Sequence, residues 1–140
     1  MLDSIILKFI FSMILGALIG AERSLIGKQA GLRTFALVSL GACLFTYLGL
    51  SLEPSNPSRV LSNLVVGISF LGAGVIFIHQ EKVIGLTTAA SLWTTTAIGA
   101  AVGMGFLKEA IFVTLLTLFI LWLLTYIEKF IRRDNNEQRS

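Results

Sequence analysis

Ala110-Ile-Phe-Val-Thr-Leu-Leu-Thr-Leu-Phe-Ile-Leu-Trp-Leu-Leu-Thr-Tyr-Ile127 is a run of eighteen residues without one charge. About 20 such residues in a helix cross the hydrocarbon core of a bilayer. Working outward from it, Ser4–Ala21, Thr34–Leu52, Val60–Ile78 and Leu86–Phe106 are apolar blocks of similar length. With Ala110–Ile127 they predict an all-α, polytopic transmembrane bundle of five spans. Composition agrees: 55% of the 140 residues are hydrophobic and 14% charged, with a mean hydropathy of +0.85. Soluble domains carry about a quarter charged residues and cannot hide this much apolar surface at such a size. The expected organisation is one transmembrane domain over 1–130 and a short polar cytoplasmic tail over 131–140.

The first block reads as a permanent span rather than a secretory signal. Leu2-Asp3 is not a basic start, and the run ends in Glu22-Arg23 rather than at a small-residue cleavage site. Glu53-Pro-Ser-Asn-Pro-Ser-Arg59 is a turn, because proline cannot continue a helix without penalty. Gly105-Phe-Leu-Lys-Glu109 is short enough to force a tight antiparallel hairpin. With the C-terminus inside, eight cations (Arg23, Lys28, Arg33, Lys82, Lys129, Arg132, Arg133, Arg139) lie on the cytoplasmic side. Only three (Lys8, Arg59, Lys108) remain for the other. Positive charge accumulates inside, so the expected orientation is N-out, C-in.

Glycine divides the spans. All 13 precede Phe106. Gly16 and Gly20, like Gly99 and Gly103, are four apart and share a helix face, which allows the close backbone approach that associates helices in lipid. Gly67, Gly72 and Gly74 add to the third span. Spans one to four are therefore expected to form the core, with the fifth facing lipid. Gly16-Ala-Leu-Ile-Gly20 leading to Gly31-Leu-Arg-Thr34 is echoed by Gly72-Ala-Gly-Val-Ile76 leading to Gly85-Leu-Thr-Thr88. The echo is either a parallel repeat of the kind some transporters use or chance in Gly/Leu-rich sequence.

No enzyme constellation is visible, and no cofactor or metal is expected. His79 is the only histidine, so a multi-histidine metal site is excluded. Cys43 is the only cysteine and reads as a small packed hydrophobe. Nucleic acid is not an expected partner, since the basic residues flank apolar blocks. The informative polar segment runs from Glu22 to Thr34. Glu22, Arg23 and Arg33 abut apolar helices, where a carboxylate is best held by a guanidinium; Glu22 is expected to pair with Arg33 or Arg23 at the inner mouth. Thr34 and Thr87-Thr88 stand at two helix starts, where hydroxyls cap free N–H groups or form a polar vestibule for an anion. Asn63 is either interhelical glue or a pore-lining group. Trp93 is expected in the core, beside Thr94, whose hydroxyl can bond back to its own helix.

These motifs resemble the MgtC/SapB family of bacterial inner-membrane proteins over roughly Gly16 to Glu128. The stretches that carry the resemblance are Gly-Ala-Leu-Ile-Gly-Ala-Glu-Arg23, Ala-Gly-Leu-Arg-Thr34, Phe-Leu-Gly-Ala-Gly-Val-Ile76 and Gly-Leu-Thr-Thr-Ala-Ala-Ser-Leu-Trp93. Ser69 stands where the family pattern has glycine, and Asn63 where glutamine is common. The resemblance implies a role in magnesium limitation and acid stress and, in pathogens, survival inside host cells. It implies regulation of other membrane systems, the F-type ATP synthase among them, rather than carriage of magnesium. Many members carry a cytoplasmic C-terminal domain, whereas this sequence stops at Ser140, so regulation through that domain is not expected of these residues. Two function classes follow. One is a non-enzymatic regulatory subunit that binds other membrane proteins. The other is an oligomeric channel or transporter for an ion or small solute, favoured by charges at helix mouths but weakened by the lack of an acidic residue in the middle of a span. The resemblance favours the first.

Overall fold

The computed structural model describes residues 2–79 and 82–137, with side chains as far as residue 127. Among them are five helices and one hairpin: α1 (Leu2–Leu25), α2 (Leu32–Leu52), α3 (Pro57–Gly74), β1 (Phe77–His79), β2 (Lys82–Ile84), α4 (Leu86–Met104) and α5 (Leu107–Glu137). Three of the helices, α1, α2 and α5, are long and apolar enough by themselves to cross a membrane. The other two owe their lower apolarity to their sequences. In α3 the first turns carry Ser58, Arg59, Ser62 and Asn63, and α4 is built from threonine, alanine and glycine.

The core is a triangle of α1, α2 and α4. Helix α1 runs antiparallel to α2: Gly16 abuts Phe35 and Ser39, and Gly20 abuts Leu32 and Phe35. A methyl group on Gly16 would stand 2.5 Å from the Phe35 carbonyl oxygen. Helix α4 runs parallel to α2, since Gly99 meets Ser39 and Ala42 while Gly103 meets Cys43 and Thr46. The two glycine pairs thus do what their spacing predicts. Between them lie the buried side chains Leu15, Ile19, Phe35, Cys43, Leu92, Ile98 and Val102.

Two expectations about the layers are corrected. Helix α3 is less embedded than expected: Ile68 joins the buried core and Gly72 is buried, but no other residue of the helix is. Gly67 and Gly74 have nothing within 4 Å of where a Cβ would stand, so they make no close approach. Helix α5, expected simply to face lipid, buries a stripe of Ala110, Thr114, Thr117 and Leu121, and it packs on α4 and α1. Its helix continues to Glu137, through most of the expected polar tail.

Between α3 and α4 the chain forms an antiparallel hairpin, with Phe77 opposite Ile84, Ile78 opposite Val83 and His79 opposite Lys82. The sequence reading had the third helix running on to Ile78. It stops at Gly74 because Gly72 and Gly74 weaken the last turn, and the β-branched residues that follow pair well across strands. Gly85 leaves the hairpin at φ +94°, and a side chain there would collide with the Val75 carbonyl. Gly105 closes α4 at φ +94° and leads straight into α5, the tight hairpin that was expected.

Candidate functional site

Four of the residues singled out in the sequence, Glu22, Arg23, Arg33 and Thr34, lie where α1 ends and α2 begins. Arg23, in the last turn of α1, is 1% exposed. Its Nε and Nη2 donate to the two carboxylate oxygens of Glu22 at 2.6 and 3.2 Å. This fork geometry is the strong form of an ion pair, and a cation at a helix C-terminus also opposes the helix dipole. Of the two partners expected for Glu22, the structure selects Arg23. Arg23 Nη1 is buried with no acceptor among the described residues.

Beyond Arg23 the chain turns sharply. Gly27 adopts φ +67°, and the Lys28 amide donates to the Arg23 carbonyl at 3.0 Å. The Ser24 hydroxyl accepts from the Leu32 amide at 2.9 Å, which satisfies one of the free donors at the start of α2. The turn borders an open polar hollow of about 460 Å³ lined by Ser24, Lys28, Gln29, Gly31, Leu32, Arg33 and Thr34. Lys28, Arg33 and Thr34 are exposed there.

The expectation that threonines cap the helices is corrected. The N-caps of α2 and α4 are Gly31 and Gly85, and neither end has a cap from its own N-cap side chain. Thr34, Thr87 and Thr88 lie two or three positions past those caps, inside their helices. Thr34 joins Arg33 in the hollow; Thr87 is exposed and Thr88 is 2% exposed, and neither lines it. The internal echo is explained in part. Gly31 and Gly85 occupy the same place at the starts of two parallel helices, whereas Gly16 and Gly20 lie inside α1 and Gly72 and Gly74 at the end of α3.

A second region lies along the bundle, where α2 and α3 diverge. An apolar groove of about 590 Å³ runs between them, with Gly41, Phe45, Asn63, Gly67, Ile68 and Thr96 in its walls. Asn63 belongs to this groove and is exposed. The Thr94 hydroxyl donates to the Ala90 carbonyl at 3.1 Å, the back-bonding expected of it. Trp93 is not in the core: it is 52% exposed. The inward face of α4 is set by Leu92, Thr95, Thr96, Gly99 and Gly103. Trp93 lies six residues before Gly99 and therefore roughly 120° around the helix. That spacing was a usable signal.

Several hydroxyls lie in the core. Ser12 donates to the Ser39 carbonyl at 2.8 Å and shares a bond with the Ser39 hydroxyl. Ser91, Thr95 and Thr96 bond back to their own helix. Thr46 Oγ1 is buried without a partner among the described residues. No group of three or more metal-ligating side chains occurs among the described residues. Ser12, Ser24, Ser39 and Gln29 were missed from sequence because their partners are 8 to 27 positions away or on another wall of a hollow.

A sequence model of the MgtC family matches residues 9–130. The chain belongs to the MgtC family. It is 46% identical over 113 residues to protein MgtC of Salmonella typhimurium strain LT2, covering 81% of this chain and 49% of that protein. It is 39% identical over 127 residues to the putative magnesium transporter YhiD of Escherichia coli K12, covering 81% and 59%. An uncharacterized protein of Haemophilus influenzae is 32% identical over 144 residues, covering 95% and 60%. The chain thus spans about half to three-fifths of the length of these relatives. No solved structure matches it.

Proposed function

We propose that this MgtC-family chain is a non-enzymatic regulator linked to magnesium homeostasis and to acid or low-magnesium stress, resident in the bacterial inner membrane. In this reading it crosses the bilayer five times, N-out and C-in, and acts by binding other membrane proteins. The F-type ATP synthase and a second copy of the chain are the partners considered. One observation carries the reading: the interior of the α1, α2 and α4 triangle is filled by glycine contacts and back-bonded hydroxyls, while the hollow and the groove both lie outside it. A bundle that presents its concave surfaces outward is suited to docking. Arg139 lies outside the described residues, as do the side chains of Lys129, Arg132 and Arg133, so the orientation rests on the sequence pattern.

A second reading, an oligomeric channel or transporter, is favoured by the name of one relative, the putative magnesium transporter YhiD. It also draws on the buried Arg23 at a helix mouth. Liposomes holding the purified chain distinguish the two. The regulatory reading expects no specific flux of magnesium, potassium or protons above protein-free vesicles. Specific flux that disappears in both Glu22→Gln and Arg33→Ala would establish transport instead.

A further inference from the structure

We propose that the hollow between α1 and α2 is a binding site for a phosphate-bearing anion, with Lys28 and Arg33 as its cationic walls. The hollow has about 460 Å³, room for a phosphate group, and its lining contains no carboxylate. The nearest acidic residue in sequence, Glu22, is already engaged with both Nε and Nη2 of Arg23. Neither Lys28 nor Arg33 forms an ion pair among the described residues. Two cations with no counter-ion of their own face a concavity whose remaining polar groups are the Gln29 amide and the Ser24 and Thr34 hydroxyls, all able to donate to phosphate oxygen. Guanidinium and ammonium groups are a protein's usual means of holding phosphate.

The hollow is also built in advance. Gly27 at φ +67° turns the chain, the Lys28 amide ties it to Arg23, and Ser24 ties it to Leu32. A side chain on Gly31 would collide with Ser24 Oγ, so the wall cannot be thickened there. Binding then costs little ordering of the loop. Two sources could supply the anion. At the end of two apolar helices the hollow stands at headgroup depth, where an anionic phospholipid presents its phosphate; inorganic phosphate could enter from the adjoining water. The inference is independent of whether the chain regulates or transports.

The test uses the full chain in detergent micelles, with two probes. Native mass spectrometry measures retention of phosphatidylglycerol against phosphatidylcholine, and phosphorus NMR line broadening measures saturable binding of inorganic phosphate. Loss of about fivefold in affinity is expected for Lys28→Gln or Arg33→Gln alone, and about thirtyfold for both. Arg59→Gln, in the first turn of α3 where the arginine pairs with Glu53, should change nothing. Selective retention of phosphatidylglycerol that the variants lose identifies a headgroup site. Saturable phosphate binding without lipid selectivity, lost in the same variants, identifies a free-anion site. Both support the proposal. It is overturned if wild type binds neither probe saturably, if the variants bind as wild type does, or if Arg59→Gln weakens binding equally. Lys28 and Arg33 are exposed, so folding should survive, and the single variants keep the test readable if the double one does not fold.

Discussion

Helices α1 and α3 both precede a partner helix, and both carry glycines, yet they are held in opposite ways. On α1, Gly16 and Gly20 face the backbone of α2 at contact distance, and Ser12 bonds to Ser39 across the same seam. On α3, Gly67 and Gly74 face open space, and a groove separates the helix from α2 along much of its length. The difference lies in what stands opposite. Gly16 meets the Phe35 backbone and Ser39 Cβ, and Gly99 meets the Ser39 backbone and Ala42 Cβ, whereas Gly67 and Gly74 meet nothing. In lipid, no hydrophobic drive compensates for a poor fit. A glycine therefore brings helices together only where a partner helix stands directly opposite it.

This contrast can be broken in order of expected effect. Arg23→Ala should be the most damaging change, because it strips the buried fork from Glu22 and leaves a carboxylate unpaired; a loss of about 3–5 kcal/mol is expected in reversible unfolding from mixed micelles. If Arg23→Ala unfolds like wild type, the inner mouth contributes nothing to the tight seam. Gly99→Ala comes next. Its new methyl would meet the Ser39 carbonyl and Ala42, an overpacking worth about 1–3 kcal/mol by the same measurement. Ser12→Ala removes a buried bond to α2 and should cost about 0.6–1.5 kcal/mol. Gly67→Ala should be the mildest, within about 0.5 kcal/mol or slightly stabilising, since alanine suits a helix better than glycine and meets no neighbour. A Gly67→Ala loss as large as that of Gly99→Ala would mean that α3 is packed as tightly as α1.

The charge network offers a sharper version of the same test. Because Glu22 is bonded to Arg23 and Arg33 stands in the hollow, exchanging Glu22 and Arg33 should not rescue either single mutant in thermal unfolding. Rescue would show that Arg33, too, belongs to the buried network.

Much of this was open to reading from residues alone. The i, i+4 glycine pairs announced two real seams, Gly105 a real hairpin, and the uncharged run from Ala110 to Ile127 a real membrane-length helix. Where the reading failed, the missing information was about opposition. Trp93 shares a helix with buried threonines, and only the angle measured from Gly99 places it on the other side. Thr34 and Thr88 look like caps until the glycines ahead of them take that position. The cap that α2 does receive comes from Ser24, eight residues earlier and on another helix.

The sequence by itself determined that the chain lives in a membrane as helices and that it belongs with the MgtC family, because apolar length and motif order are properties of the chain read in one dimension. Only the tertiary structure decided that α1, α2 and α4 make most of the core while α3 adds little beyond Ile68. It also decided that Glu22 is held by Arg23, and that Lys28 and Arg33 flank an open hollow. Those outcomes depend on which small residues meet across a seam and which charges are left without a partner, and no spacing along one helix contains the helix opposite.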